Sequence, residues 1–203
     1  MGNRGRFGKY GDIKRIERLR KSRVGLGGTL QKIADPLRGA PPYEKRIPKK
    51  PKVIIRPAET SDVEYIRNLS KKVFQQYGTY DDTLPRWFLS GMTVTILALV
   101  KKAPAGFAMM GRLPHEWYAP RVSELLGIAV EPERQGCGIG DLLMKEVVRE
   151  ARGHEIEMLI LHTAVENLDG QRLFKKHGFV ASEVKKNFYP EGQEALMMYR
   201  NIL

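Results

Sequence analysis

The residues whose types and spacing could do chemistry lie in one run, Glu124 to Ala151, ELLGIAVEPERQGCGIGDLLMKEVVREA, and in one later histidine, His162. Gly136, Gly138 and Gly140 carry no side chains, so backbone amides around Cys137 can approach a ligand closely. Those amides open a helical pattern, where first-turn donors are unsatisfied and the dipole end is positive. A phosphate or pyrophosphate suits such a turn, with Arg134 and Gln135 beside it. The same glycines would equally serve a tight turn needed for close packing. Two known phosphate motifs do not fit: no Gly-Lys-Ser/Thr ends the run, and Leu143 stands where a dinucleotide fingerprint needs its third glycine. Glu124, at the head of an otherwise apolar stretch, and His162, in MLILHT, could each accept a proton. Each also has a plainer reading, as a solvent-facing strand end and as a hydrogen-bonded structural histidine. His115, His154 and His177 have no metal-ligand spacing, so no metal is implied.

These groups need elements to position them. Leu125 to Val130 is a near-continuous apolar run bounded by Pro132, which predicts a buried strand. Ile139, Leu142, Leu143, Val147 and Ala151 then recur at helical spacing. The segment therefore reads as strand, glycine-rich turn, helix. Upstream, residues 53–56 suit a short strand. Ser61-Asp62-Val63-Glu64 predicts a capping box for a helix burying Val63, Ile66, Leu69, Val73 and Phe74, with Gly78 after its end. Tyr80, Asp81, Asp82 and Thr83 then read as a loop leading into a short helix over 84–89. Strands are predicted over 93–100 and 106–113, joined by a turn at 101–105, with a polar and aromatic loop over 114–121. Downstream come a strand over 158–164, a helix over 169–177, and strands over 180–188 and 195–201. Alternation along the first of these puts His162 on the face of Met158 and Ile160. The mixed order predicts an α/β sheet with helices on both faces.

Charge divides the chain in two. Residues 1–52 hold 16 Lys/Arg and 4 Asp/Glu, so 16 − 4 = +12, the whole formal net charge. Residues 53–203 hold 19 of each sign, giving 19 − 19 = 0. The basic arm is rich in glycine and, over 38–52, in proline, and reads as partly disordered or extended, with a short helix starting at Asp12. Such an arm suits a polyanion, RNA or the ribosome being the natural one, as well as a solvated tail or a clamp onto the domain. The single cysteine, Cys137, excludes an internal disulfide and suits a reducing compartment, so cytoplasm is the expected location. No run approaches 18 apolar residues, so no membrane span is expected, and oligomeric state is left open.

Gln135-Gly136-Cys137-Gly138-Ile139-Gly140, set between a strand and a helix, resembles motif A of the GNAT acetyltransferase superfamily. A second block resembles the family's Asn-x-x-Ala-x-x-Leu-Tyr-x-x-x-Gly-Phe, running from Asn167 through Leu173 and Phe174 to Gly178-Phe179, with Gly170 in place of alanine and Phe174 in place of tyrosine. Lys185-Lys186-Asn187-Phe188-Tyr189-Pro190 is similar to a stretch of protein N-terminal acetyltransferases. The resemblance covers roughly residues 53–203. It implies a GNAT fold, a mixed, twisted sheet of six or seven strands, splayed between strands 123–130 and 158–164. It implies acetyl-CoA as donor, its pyrophosphate on Arg134 to Asp141, its pantetheine amides on the backbone of Ile128, Ala129 and Val130, and further contacts from Asn167 and Phe174. Within that family Cys137 need supply only its backbone amide.

Acyl transfer from a thioester to an amine requires loss of the amine proton, stabilisation of an oxyanion and departure of a thiolate. The resemblance puts Glu124 at the position of one group's catalytic glutamate and His162 at that of another group's catalytic histidine. Phe174 has no proton for a leaving thiolate, and Tyr189 is the nearest phenol in sequence. Substrate walls would be the loop after the first helix, with Tyr80, Asp81 and Asp82, and the last hairpin, with Tyr189 and Glu191. The expected activity is acetylation of a protein N-terminal amine or lysine. Acetylation of a polyamine or aminoglycoside, and an RNA- or ribosome-binding protein with weak or no turnover, are the alternatives.

Overall fold

Residues 52–111 and 121–202 are described by the computed structural model of the chain. The readings of the basic arm, of the strand end at 112–113 and of the loop at 114–120 lie outside the described residues. Seven strands form one sheet: β1 (Val53–Pro57), β2 (Thr93–Val100), β3 (Ala103–Gly111), β4 (Val122–Val130), β5 (Met158–Ala164), β6 (Val180–Lys185) and β7 (Ala195–Asn201), in the order β1-β2-β3-β4-β5-β7-β6. Four α-helices accompany them: α1 (Val63–Phe74), α2 (Tyr80–Leu89), α3 (Ile139–Gly153) and α4 (Leu168–Lys176). Only β4 and β5 run parallel; every other neighbouring pair is antiparallel.

Apolar residues of both strand faces are buried, which is why the central strands read as continuous hydrophobic runs. Leu97, Phe107, Met109 and Ala129 pack with Ile66 and Leu69 of α1 and Leu84 of α2. Their strand neighbours Ile96, Ala98, Ala108 and Met110 are buried as well, and α3 packs against β1 to β4. In α3 the buried stripe is Ile139, Leu143, Met144, Val147, Val148 and Ala151. Leu142, predicted to be inside, is 38% exposed, because two adjacent i, i+4 rows centred on Leu143 and Met144 already cover the sheet.

Four local expectations change. The capping box lies earlier than predicted: Glu59 is the cap, and Asp62 accepts from its backbone N–H at 2.7 Å while pairing with Arg56 at 2.6 Å. The acidic Asp62 rather than Glu64 reaches back because a single 3-10 turn, Thr60–Asp62, precedes α1. The β2–β3 connection is not five residues but two, Lys101 and Lys102, at φ 51° and 68°. Such left-handed pairs match the twist of a two-residue hairpin. Helix α2 begins at Tyr80, so the predicted loop 80–83 is its first turn. Pro85 lies inside this helix and has no N–H for the Asp81 carbonyl; Arg67 Nη1 donates to that carbonyl instead, at 3.0 Å. Finally, β6 stops at Lys185 rather than 188, because Asn187 turns left-handed (φ 50°) and Phe188 and Tyr189 bond across a loop to Gln193.

Candidate functional site

The parallel pairing of β4 with β5 covers only Val122–Leu125 against Met158–Leu161. Past this point β4 stays with β3, through Gly127↔Met109 to Val130↔Gly106, and β5 stays with β7, through Leu161↔Met198 to Ala164↔Ala195. A bulge between Met109 and Met110 bends the β3–β4 half where the strands part. The edge of β4 that faced β5 therefore has no strand partner over Leu126–Val130, and its backbone groups open onto a cleft of about 550 Å³. An extended chain carrying amides can complete such a ladder, as a further strand would.

The glycine-rich turn closes one end of the cleft. Gly136 (φ 74°) and Gly138 (φ 85°) are left-handed, and Gly138 is the N-cap residue of α3, so the first amides of that helix turn toward the cleft mouth. Arg134, Gln135, Gly136, Gly138, Ile139 and Gly140 line it, as do Ile128, Ala129 and Val130. Cys137 is part-buried and free, and does not line the cleft. Asp141 has its carboxylate turned to α4 instead, with His177 Nε2 and Lys176 Nζ each at 2.8 Å. Burial would raise its pKa, but the hydrogen bonds from Lys176 and His177 outweigh this and hold it at about 2.

From the other side come Asn167 and Phe174. Asn167 caps α4: its Oδ1 accepts from Gly170 N at 3.0 Å and its Nδ2 donates to Thr163 Oγ1 at 3.0 Å. A Cβ at Gly170 would lie 2.5 Å from Asn167 Nδ2, so the glycine makes room for this folded-over cap. Phe174 is buried against Phe179, with ring centroids 6.1 Å apart, and lines the cleft.

The two candidate bases are one unit. Glu124 lies opposite Ile160 in the β4–β5 register, two residues from His162, and Glu124 Oε1 lies 2.8 Å from His162 Nδ1. The carboxylate accepts, so Nδ1 donates and Nε2 is left as the ring's acceptor. Nε2 is buried with no hydrogen-bond partner, and His162 lines the cleft where the strands part. Phe188 stacks on the imidazole at 4.6 Å and 17°, fixing its plane.

Over this dyad the two wall loops meet. Gln193 Nε2 donates to Gln76 O at 2.7 Å, the Tyr77 and Tyr189 rings meet tilted at 41° with centroids 4.9 Å apart, and the φ +121° residue Gly78 faces Pro190 so closely that a Cβ would come within 3.1 Å. Tyr189 is 6% exposed; burial first, then the neighbouring Tyr80 and Tyr77 phenols and the Glu166 carboxylate, push its phenol well above the usual range. Tyr80 lines the cleft. Asp81 and Asp82 do not: they form the first turn of α2, where Asp82 pairs with Arg86 and the Asp81 carbonyl accepts from Arg67. Tyr77, the first residue of the wall loop 77–83, also lines the cleft, as does Arg172, to which the sequence alone assigns no role. Arg172 is the fifth residue of α4, and no local motif marks it. Among the described residues no cluster of His, Cys, Asp and Glu could hold a metal, and no helix is long and apolar enough to cross a membrane.

A seven-stranded mixed sheet split between its two parallel strands, with a glycine turn at a helix start beside the split, defines an acyltransferase class. The GNAT acetyltransferase family matches residues 63–179, and the chain belongs to it. It is similar to the [ribosomal protein bS18]-alanine N-acetyltransferase of Haemophilus influenzae, 33% identical over 67 residues, 33% of this chain and 45% of that protein. The chain spans about half the length of the curated relatives it matches. Among solved structures, Ard1 from Thermoplasma volcanium has a TM-score of 0.63 at 22% identity, covering 74% of this chain and 98% of its own. The Salmonella typhimurium protein yncA, solved with its cofactor acetyl-CoA, has a TM-score of 0.63 at 16% identity, covering 74% and 94%. The unpaired β4 edge and the left-handed glycines at the start of α3 fit that cofactor's amides and pyrophosphate.

Proposed function

We propose that the protein transfers the acetyl group of acetyl-CoA to a protein N-terminal amine, with His162 as the base and Glu124 as its positioning partner. The observation carrying this reading is the unpartnered Nε2 of His162 beneath a bridged roof at the split between β4 and β5. Bound acetyl-CoA supplies an activated thioester. The amides from Gly136 to Asp141, with Arg134, bind the pyrophosphate, and the free edge of β4 at Ile128–Val130 holds the pantetheine amides and polarises the carbonyl. His162 Nε2 takes the proton from the acceptor ammonium, and Glu124 Oε1 balances the charge gained by the ring. Phe188 and Tyr189 exclude water from that step. Phe174 has no proton to give. Tyr189, a phenol pushed above its usual range, is a weaker acid than a thiol, so it serves the departing sulfur as a hydrogen-bond donor.

The roof also selects the acceptor class. With Gln76–Pro190–Gln193 bridged, an acceptor enters end-on, which suits one chain arm of a peptide terminus better than the two arms flanking a lysine. The ribosomal-protein alanine acetyltransferases to which the chain is similar support the same acceptor. Two peptides of one sequence test the proposal by mass spectrometry. One has a free terminus and no lysine, and the other has a blocked terminus and an internal lysine. Only the first is expected to be acetylated, and Gly138→Asp, which sets a charge against the pyrophosphate, removes the activity and the acetyl-CoA-induced rise in Tm. Equal rates on the two peptides, or faster turnover of a polyamine, overturn the assignment.

A further inference from the structure

A second groove, of about 720 Å³, adjoins the cleft and shares Asp141 and Lys176 with it. It lies among the first turns of α3, the end of α4 and the end of β7. Three cations line it, Lys145, Lys176 and Arg200, against one carboxylate, Asp141. That carboxylate is already engaged, by His177 and Lys176 at 2.8 Å and by Lys145 at 3.6 Å.

Arg200 is not matched in this way. It is half-buried, and among the described residues its side chain donates from Nη1 to the His177 carbonyl. Among the described residues no carboxylate pairs with it; burial, then the like charge of Arg152, push its pKa down. A guanidinium has five donors in a planar fork, and most of these remain for a ligand. A partly desolvated cation facing a cavity beside like charges is stabilised when an anion fills that cavity.

We infer that this groove is a phosphate-monoester site, in which Arg200 gives the fork and Lys145 and Lys176 give flanking charge. Two sources have this chemistry: the 3′-phosphate of coenzyme A, reached through the shared wall at Asp141 and Lys176, or a separate phosphate. The first source rests on the acetyl-CoA reading above; the second does not.

Calorimetric titration of the full chain with coenzyme A and with dephospho-coenzyme A, which lacks the monoester, separates them. The intact coenzyme is expected to bind roughly 10- to 100-fold more tightly, the range of a lost charge-assisted contact. Arg200→Met brings the ratio near one and leaves dephospho-coenzyme affinity unchanged, which also shows that the variant is folded. Lys145→Gln, on an exposed helix face, lowers the ratio in the same direction. Equal binding of both coenzymes, with a Tm rise from inorganic phosphate that Arg200→Met and Lys145→Gln both reduce, assigns the site to a separate phosphate. Binding of neither coenzyme with that same phosphate effect overturns the acetyl-CoA reading alone. Equal binding, or none, with no such phosphate effect overturns the site.

Discussion

Removing the two halves of the Glu124–His162 pair should have unequal and non-additive effects on catalysis. His162→Ala takes away the acceptor atom itself, and loss of a positioned general base slows turnover by about 10²- to 10⁴-fold. Glu124→Gln leaves Nε2 in place but replaces a charged partner at 2.8 Å by a neutral one. A hydrogen bond to a charged group is worth about 1.5–3 kcal/mol. The Glu124 side chain is 29% exposed, so solvent screening puts the loss at the low end, about 1.5 kcal/mol or roughly tenfold in rate. The double variant should be no slower than His162→Ala alone, because Glu124 acts through the imidazole. Single-turnover acetylation of a free-terminus peptide under saturating acetyl-CoA gives the rates, and titration of coenzyme A gives affinities, which should be equal in all four proteins. If the two losses multiply in the double variant, or Glu124→Gln is the slower single variant, Glu124 meets the acceptor directly and the assignment of roles is wrong.

Two further predictions concern the scaffold. Asp141 has a folded pKa of about 2 against an ordinary 3.8, so its contribution to stability is complete above about pH 4 and is lost as the pH falls toward 2. Asp141→Asn should be less stable than the parent at neutral pH and flatter between pH 4 and 2 in urea melts; parallel curves would show that the His177 and Lys176 bonds carry no net stability. Arg67→Met frees the Asp81 carbonyl that Pro85 leaves without a helical donor, at a cost of about 1 kcal/mol in urea unfolding. Adding Pro85→Ala restores an N–H to that carbonyl and should shrink the cost, whereas an unchanged cost would mean that Arg67 acts through some other contact.

The chain order determined those parts of the protein that depend on neighbours in sequence. The apolar run before Pro132, the left-handed glycines and the helical stripe from Ile139 are local patterns, each enforced by backbone sterics or by one buried face. The strands over 158–164 and 195–201 were legible for the same reason, and their observed bounds agree with the pattern. Helix α2 starts four residues before its expected bound of 84; what allows Pro85 six residues into it is a guanidinium from α1, a contact that no local window contains. Tertiary structure alone decided that Glu124 and His162 are a pair. They are 38 residues apart, and a parallel register of four residues between β4 and β5 sets them within 2.8 Å. The same holds for Asp141 with His177, 36 apart, and for Gln76 with Gln193, 117 apart. Strand pairing and helix crossing choose such partners, because side-chain chemistry acts over a few ångströms of space whatever the length of chain between.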